Sequence, residues 1–294
     1  MRPDFGIDAR GDIRSQILLA LSKCRRRVGF TRYLASNVTV RGKLLTDPCV
    51  PTPTTHRFQL NLQLLKPLLG HVPELRLPAI RPTLQSTTEP LTQTTPNKKR
   101  RIVVHAAPRW QYRQWPVDRW AEVLRPLLDE TDLDVVLVCA PGETGTMRPL
   151  LDLLDERLEC RETSLPALRT LISEASLFVG LDSGPANLAS LLGTKAVVLF
   201  GPGDADLWGP LGIGSIAIHR TADYSCHPCL QKECIHPENP CMNMISSAEV
   251  LAAIRDRIGL PQSFPSSLLP LGSDPVPAAL AVRQHFELTH EDPT

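Results

Sequence analysis

The sequence lacks any long apolar run, so no membrane-spanning helix is expected in it. None of its 294 residues belongs to a stretch approaching the roughly 18 apolar residues that such a helix needs. A secretory signal is not expected either, because Met1 to Arg14 is charged throughout. The hydrophobic content of 42% and the chain length suit two domains with a sizeable core.

Net charge is also almost absent, at +1, but the two parts of the chain differ sharply. Residues 1–101 hold 18 Lys and Arg against 6 Asp and Glu, and the remainder holds 14 against 25. A basic first part predicts an anionic partner, such as nucleic acid, an anionic membrane face or a phosphorylated glycolipid. A basic surface that contacts only solvent is the alternative.

Eight cysteines do not indicate a disulfide framework, because the chain is long and carries no recognisable secretory signal. Four of them follow the pattern C-x2-C-x4-C-x6-C, which is compact enough for one tetrahedral structural zinc. These four are Cys226, Cys229, Cys234 and Cys241. His227 and His236 are substitute ligands, and an iron–sulfur cluster or four reduced thiols are the alternatives.

Alternating strands and helices from Arg101 onward predict a mostly parallel, doubly wound sheet. Its central unit runs from Phe178 to Pro202. The pattern predicts a buried strand at Leu177–Leu181, a turn at Asp182–Pro185 and a helix closed by Gly193. The opening of such a helix, past the carboxyl end of a parallel strand, is a common phosphate-binding position. An ordinary connection without a ligand is the alternative.

In the first part of the chain, the sequence pattern predicts fewer strands and helices. Asp4 to Asp8 is typical of the end of a strand, and Gly11 to Ser22 of an amphipathic helix. We expect a second helix at His56–Leu69, interrupted by Pro67, and a linker at Thr83–Arg101. The apolar face of the first helix comprises Ile13, Ile17, Leu18 and Leu21. We also expect that the start of this domain is missing.

Several stretches in order resemble glycosyltransferase family 9, the heptosyltransferases of the lipopolysaccharide core. They read VVHAAPRWQYRQWPVDRWAEVL, VVLVCAPGE, LFVGLDSGPANLASLLGTKAVVLFGPGD and CHPCLQKEC. The first part of the chain adds IDARGDIRSQILLAL followed by RRRVGF. The resemblance covers roughly Asp4 to Ile258, and the ordered set is specific although each motif alone is weak.

The resemblance implies a GT-B fold: α/β, with two Rossmann-like doubly wound domains, the first incomplete, and the active site in the cleft. We place a partial acceptor-side domain with its linker at 1–96, a nucleotide-sugar-binding domain at 97–262 and a Pro/Ser/Leu-rich tail at 263–294. The implied reaction is an inverting transfer of heptose, or a related sugar, from a nucleotide-sugar, usually ADP-heptose. It needs no cofactor for catalysis. The implied acceptor is an anionic glycolipid, the lipopolysaccharide inner core, at the cytoplasmic face of the inner membrane.

For the donor, the turn after the central strand supplies the first candidates. Ser183, Gly184 and the following amides can donate to a diphosphate, and a side chain at position 184 would hold the backbone away from it. Asp182 matches the aspartate of the family motif, with a helix cap as its alternative role. The family commonly has histidine where this chain has Asn187, which can donate a hydrogen bond but carries no charge.

Two further candidates lie on neighbouring loops. Arg113, two residues before Trp115, stands where the family usually places a cation on the phosphates. Glu143 follows the next strand, where an acidic residue can hold the nucleoside, and a place in the first turn of a helix explains it equally well. Trp115 is expected to pack beneath its loop rather than to stack on a ligand.

The general base is the missing part. The family's first strand and its glycine–aspartate loop, which carries the presumed base, have no counterpart here, so the catalytic residue stays unknown. Asp8 and Asp12 are interpreted as strand-end and helix-first-turn residues. Arg14 is the acceptor-side candidate, because a basic residue suits an anionic core sugar or phosphate.

Three functions therefore compete. The first is sugar transfer, and the second is an inactive relic or scaffold that binds a nucleotide-sugar, favoured by Asn187 and by the missing base. The third is nucleic-acid binding through the basic part, which we do not expect because no recognition motif is present and the cysteines lie in the acidic part.

Overall fold

The computed structural model describes residues 3–31, 44–52, 56–75, 99–107, 110–220, 225–226, 229 and 233–261. The predicted tail at 263–294 and most of the predicted linker lie outside these residues. Compact packing divides the chain into two units. The first comprises Met1–Arg76 with Asp206–Trp208, and the second comprises Leu77–Ala205 with Gly209–Thr294.

The first unit is built on a small parallel sheet with the strand order β1-β2-β3. Its strands are β1 (Phe5–Asp8), β2 (Arg26–Phe30) and β3 (Asp47–Cys49). Its helices are α1 (Ile13–Leu21), α2 (Arg57–Gln63) and α3 (Lys66–Leu69). A core of Val28, Phe30, Leu60 and Leu64 packs α2 against the middle strand, and this hydrophobic burial stabilises the unit.

The burial of α1 differs from the prediction. The helix forms as expected, but Ile13, Ile17, Leu18 and Leu21 are all exposed, with Leu21 at 72%. The buried residue is Gln16, whose amide donates to the Phe30 carbonyl at 3.1 Å. The helix therefore turns a hydrogen-bonding side chain, rather than its apolar face, toward β2.

The predicted helix at His56–Leu69 is two short helices. Leu64 and Leu65 form a turn between α2 and α3, and Pro67 lies in the first turn of α3. Proline is tolerated there because the first amides of a helix have no intrahelical partner, whereas it would break a longer continuous helix. Gly70 ends α3 in the left-handed conformation, at φ 81°.

The second unit is a six-stranded, fully parallel sheet in the order β6-β5-β4-β7-β8-β9. Its strands are β4 (Arg100–His105), β5 (Leu133–Cys139), β6 (Glu159–Glu162), β7 (Leu177–Leu181), β8 (Ala196–Phe200) and β9 (Ile216–His219). Its helices are α4 (Val117–Leu128), α5 (Thr144–Leu153), α6 (Leu165–Ser173), α7 (Gly184–Leu192), α8 (Ala205–Trp208) and α9 (Ser247–Ile258). Within α8, Asp206–Trp208 are grouped with the first unit and Ala205 with the second. Among the described residues, no helix combines the length and the apolar character needed to cross a bilayer.

Helices cover both faces of this sheet, which explains the apolar runs of its inner strands. On β4, Ile102 and Val104 belong to one core cluster and Val103 to the other. A central parallel strand is buried on both faces, so its residues are apolar in succession rather than in alternation. The predicted doubly wound sheet is confirmed.

Three elements were not predicted from the sequence. Strand β3 contains Pro48 and lies at a sheet edge, where a missing amide donor costs no ladder bond. Strand β6, with the sequence ECRE, is an edge strand without an apolar run. Helix α8 has only four residues, which is too short to show helical periodicity.

Trp115 packs inside the second unit, as the sequence predicts. It is fully buried, and its ring meets that of Trp120 edge-on at 5.0 Å and 86°. Its indole nitrogen donates to the Ile245 carbonyl at 3.0 Å. Trp115 thereby attaches the segment before α9 to the loop before α4.

The Trp115→Ala substitution should lower the free energy of unfolding by about 3–5 kcal/mol, because it leaves a large cavity and removes the indole donor. Trp110, in the same loop and 51% exposed, is the matched control, and Trp110→Ala should change stability by about 0.5 kcal/mol or less. Chemical denaturation of the purified variants measures both. Equal losses would contradict the structural role given to Trp115.

Candidate functional site

The strand order of the second unit creates one place where a ligand is expected. From β4 the chain proceeds outward to β5 and β6, and from β7 it proceeds in the opposite direction to β8 and β9. The connections that leave β4 and β7 therefore diverge beyond the carboxyl ends of these two adjacent strands. Open α/β sheets bind their ligands in the crevice at this switch point.

The turn from β7 into α7 lies at that point. Ser183 occupies the N-cap position of α7, Pro185 lies in the first turn and Gly193 ends the helix at φ 73°. Ser183 makes no side-chain cap bond, and its buried hydroxyl oxygen finds no hydrogen-bond partner among the described residues. An unsatisfied buried hydroxyl beside the first amides of a helix suits an anionic ligand.

Arg113 reaches the same turn from the loop after β4. A short 3₁₀ helix at Gln111–Arg113 positions it, and its guanidinium lies 3.0 Å from both the backbone oxygen and the Oδ2 of Asp182. The Asp182 side chain is only 9% exposed. Burial raises the pKa of Asp182 above its usual value, and the positive charge of Arg113 acts against this rise.

Glycines shape the walls around this ion pair. A Cβ on Gly203 would lie 2.2 Å from Asp182 Oδ2, so the loop after β8 approaches the carboxylate more closely than any side chain permits. A Cβ on Gly184, in contrast, would meet nothing within 4 Å. The space beyond Gly184 is therefore open at the start of α7, as a phosphate group would require.

Asn187 and Glu143 occupy less direct positions. The amide nitrogen of Asn187 donates back to the Ser183 carbonyl at 3.3 Å, inside the first turn of α7. Glu143 is exposed, holds the N-cap position of α5 and makes no side-chain cap bond there. Its carboxylate therefore does not cap α5, and its contact with the nucleoside stays a prediction.

His105, which no sequence pattern predicted as a site residue, ends β4 and pairs in register with Gly180 of β7. Its Nδ1 is buried and finds no hydrogen-bond partner within the described part of the chain. Burial lowers the pKa of His105, and the nearby carboxylate of Glu143 opposes that change. The signal that the sequence did offer was a polar residue at the end of an apolar strand.

In the first unit, Arg14 lies at the start of α1. Its guanidinium donates to Asp12 Oδ2 at 3.1 Å, and its side chain is 75% exposed. Asp12 is the N-cap rather than a first-turn residue, and the bond from the Ser15 amide lowers the pKa of Asp12 to about 2. Asp8 ends β1 as predicted and accepts hydrogen bonds from the amides of Arg10 and Gly11.

The four clustered cysteines are free thiols, and the other three act electrostatically on Cys241. Burial, together with the neighbouring Cys229, Cys234 and Cys226, raises the pKa of the Cys241 thiol to about 11. Cys241 lies at the end of β8, since a Cβ on Gly201 would be 3.5 Å from its sulfur. The donor set fits zinc in number and chemistry, although the described residues do not bring three or more ligands to metal-binding positions. His227 lies outside the described residues.

Together, the second unit presents a helix opening, a cation and a buried carboxylate at one edge of its sheet. Oriented amides and a guanidinium stabilise negative charge, most effectively where water is scarce. This arrangement suits the binding of a diphosphate, and it suits the departure of one as a leaving group.

Comparison with known proteins gives a consistent result. A family model described as "Glycosyltransferase family 9 (heptosyltransferase)" matches residues 2–239. Lipopolysaccharide heptosyltransferase 3 of Escherichia coli K12 is 26% identical over 178 residues, which are 54% of this chain and 48% of that protein. Lipooligosaccharide heptosyltransferase 2 of Campylobacter jejuni (serotype O:6) is 29% identical over 96 residues, 33% of this chain and 30% of that protein. The chain thus spans about half the length, or less, of these curated relatives.

Solved structures show the same fold. A family 9 glycosyltransferase from Veillonella parvula aligns with a TM-score of 0.62 at 16% identity, over 88% of this chain and 74% of that one. The heptosyltransferase WaaC of E. coli, solved with ADP-2-deoxy-2-fluoro heptose, aligns with a TM-score of 0.59 at 17% identity, over 86% and 72%. These similarities establish the GT-B fold that the sequence predicted.

Replacing Arg113 by Met should destabilise the second unit by about 1–3 kcal/mol, because it leaves the Asp182 carboxylate buried without its cation. The pKa of Asp182 should then rise further. As the pH falls, a carboxyl group whose pKa is raised in the folded state binds its proton in that state before it does so in the unfolded state. The free energy of unfolding therefore increases as the pH falls through the raised pKa. The cost of Arg113→Met should therefore be largest near pH 8 and shrink toward about pH 4, where the unfolded carboxyl also protonates.

Urea unfolding across this pH range measures the effect. Arg125→Met, which removes an exposed pair with Asp155 at 4.0 Å and an exposed hydrogen bond to the Leu153 carbonyl, is the control and should cost about 0.5 kcal/mol or less at every pH. A cost for Arg113→Met that does not change with pH would contradict the coupling to Asp182.

Proposed function

Since this chain belongs to glycosyltransferase family 9, we propose that it transfers heptose, or a related sugar, from a nucleotide-sugar to an anionic glycolipid. The donor that the family and its relatives favour is ADP-heptose. The acceptor that we propose is the lipopolysaccharide inner core, met at the cytoplasmic face of the inner membrane through peripheral contact. The observation that carries the proposal is the site at Arg113, Asp182 and Gly184.

The second unit supplies the binding of the donor. In this proposal the diphosphate lies across the open space at Gly184, within reach of the first amides of α7 and of the Ser183 hydroxyl. Arg113, held by Asp182, supplies positive charge on the other side. Glu143 accepts a hydrogen bond from the nucleoside, and Asn187 stays in a supporting role at the first turn.

The proposed reaction is an inverting displacement at the anomeric carbon. An acceptor hydroxyl oxygen forms the new bond to this carbon as the bond to the β-phosphate oxygen breaks, and ADP leaves with the electron pair. The negative charge that accumulates on the diphosphate is stabilised by the α7 amides and by Arg113, so these groups bind the transition state more strongly than the ground state. No metal takes part in this step.

The acceptor side belongs to the first unit in this proposal. Arg14 is 75% exposed, which makes its charge accessible to a core phosphate or an acidic sugar. The proton of the acceptor hydroxyl passes to a general base, and none of the residues assigned here takes that role. A chain that binds the donor without transfer is therefore the alternative function.

Calorimetry with ADP, followed by an assay of heptose transfer from ADP-heptose to lipopolysaccharide inner core, tests the proposal on the 294-residue chain. We expect ADP to bind and sugar to be transferred. ADP binding without transfer would select the alternative, a nucleotide-sugar-binding protein without activity. Absence of ADP binding would contradict both. Salt-dependent binding of RNA or DNA instead of ADP would favour the nucleic-acid function.

Gly184→Ala probes the site itself. The new methyl group enters open space, so the stability of the fold should stay the same or improve slightly, whereas a diphosphate should be displaced and ADP affinity should fall about tenfold or more. Gly145→Ala makes the same change in the first turn of α5, also in open space, and should leave ADP affinity unchanged. Equal ADP affinity in both variants would place the diphosphate elsewhere.

We also propose that the cysteine loop at 226–241 holds a structural zinc. Four thiolates would complete a tetrahedral site with no open position, so the metal would fix the loop and take no part in transfer. Its last ligand, Cys241, lies against the loop after β8 that approaches Asp182, which links the cysteine loop to the wall of the donor site.

Elemental analysis of the purified protein should find about one zinc per chain. Cys234→Ser should lower both the zinc content and the melting temperature. Cys49→Ser, in the first unit, should leave the zinc content unchanged. If the analysis finds iron and acid-labile sulfide instead, the loop holds an iron–sulfur cluster and not zinc. A metal-free protein of unchanged stability would contradict the proposal.

A further inference from the structure

The Nδ1 atom of His105 lies at the carboxyl end of β4 and has no role in the site described above. It is buried, and it has no hydrogen-bond partner among the residues that the structure describes. Leaving such a group unsatisfied costs about 1–3 kcal/mol, so a native structure retains one where something else regularly satisfies it. A ligand at the switch point is the natural partner for a group in this position.

The position of His105 is fixed tightly. It is the last residue of β4, and its Cα pairs with that of Gly180 on β7. A Cβ on Gly180 would lie 3.0 Å from the His105 carbonyl oxygen and 2.9 Å from the ring of Phe178. The backbones of these two strands are therefore held close at the level of His105.

The charges around His105 indicate which group of a nucleotide-sugar would meet it. The negative charge of Glu143 opposes the fall in the pKa of His105 that burial causes. A phosphate beside Glu143 would be repelled, and the positive charge and helix opening that suit phosphate lie at Arg113 and Gly184. A hydroxyl group, in contrast, can accept a hydrogen bond from Nδ1–H of the imidazole and donate its own proton to the carboxylate of Glu143.

We propose that His105 is a donor-binding residue whose Nδ1 hydrogen-bonds a ribose hydroxyl of the nucleotide, next to Glu143. This inference rests on the proposed function, because it requires a nucleotide in the site. It adds a residue to the donor site that contacts the nucleoside rather than the departing phosphate. His105 therefore determines affinity for the nucleotide and has no part in the proton transfer.

His105→Leu and His105→Asn form the matched pair that tests the proposal. The two side chains are similar in size, but only Asn carries a polar atom near the position of Nδ1. Measured by calorimetry on the 294-residue chain, ADP affinity should fall about tenfold in the Leu variant and should be largely retained in the Asn variant. In an assay of sugar transfer, the Leu variant should have a higher KM for the donor and a nearly unchanged kcat.

Two nucleotide analogues identify the group that is contacted. One of the two analogues, 2′-deoxy-ADP or 3′-deoxy-ADP, lacks the contacted hydroxyl and should bind the unchanged protein more weakly than ADP does. The Leu variant should bind this analogue and ADP equally, because its contact to the hydroxyl is already lost. Nuclear magnetic resonance of the unchanged protein gives a second readout, since ADP should shift the His105 ring nitrogen signal and the matching deoxy analogue should not. This readout stands even if the Leu variant fails to fold.

The outcomes separate the two proposals. ADP binding that is equal in the unchanged protein and in the Leu variant overturns the role of His105 and leaves the proposed function intact. Analogue effects that simply add to the effect of the substitution overturn the hydroxyl contact. An unchanged protein that binds no ADP overturns the proposed function, and the role of His105 with it.

Discussion

The candidate site depends on the ion pair between Arg113 and Asp182. Asp182 lies at the end of a buried strand, where a carboxylate is costly to keep charged, and Arg113 offsets that cost from the loop after the neighbouring strand. In return, Asp182 fixes a flexible cationic side chain beside the first turn of α7. A guanidinium that is already positioned stabilises developing negative charge without first having to be ordered. Two loops far apart in sequence are thus tied together by one contact.

The close approach of backbone segments makes this contact possible. Gly203 and Gly180 lie where any Cβ would collide with Asp182 or with the end of β4, while Gly184 faces open space. Glycine therefore serves opposite purposes within one site, since it permits contact at two positions and leaves room for a ligand at a third. The cysteine loop joins the same wall through Cys241 and Gly201.

Much of the second unit follows from the sequence, because its inner strands are apolar runs and its helices begin and end at recognisable residues such as Ser183, Gly193 and Ser246. The candidates at the β7–α7 turn followed from the same pattern. His105 did not, because its importance arises from strand pairing and from burial of one nitrogen, and neither is visible along the chain. The exposed face of α1 shows the converse limit: apolar spacing predicts a helix, but it does not say whether that face is covered.

The perpendicular contact between Trp115 and Trp120 has a practical consequence. Two fully buried indoles fixed 5.0 Å apart in a chiral environment give the protein a near-ultraviolet circular dichroism signal that depends on close packing rather than on helix content. Both rings belong to the second unit. The contribution of this pair to the near-ultraviolet spectrum therefore reports on the close packing of the larger α/β body.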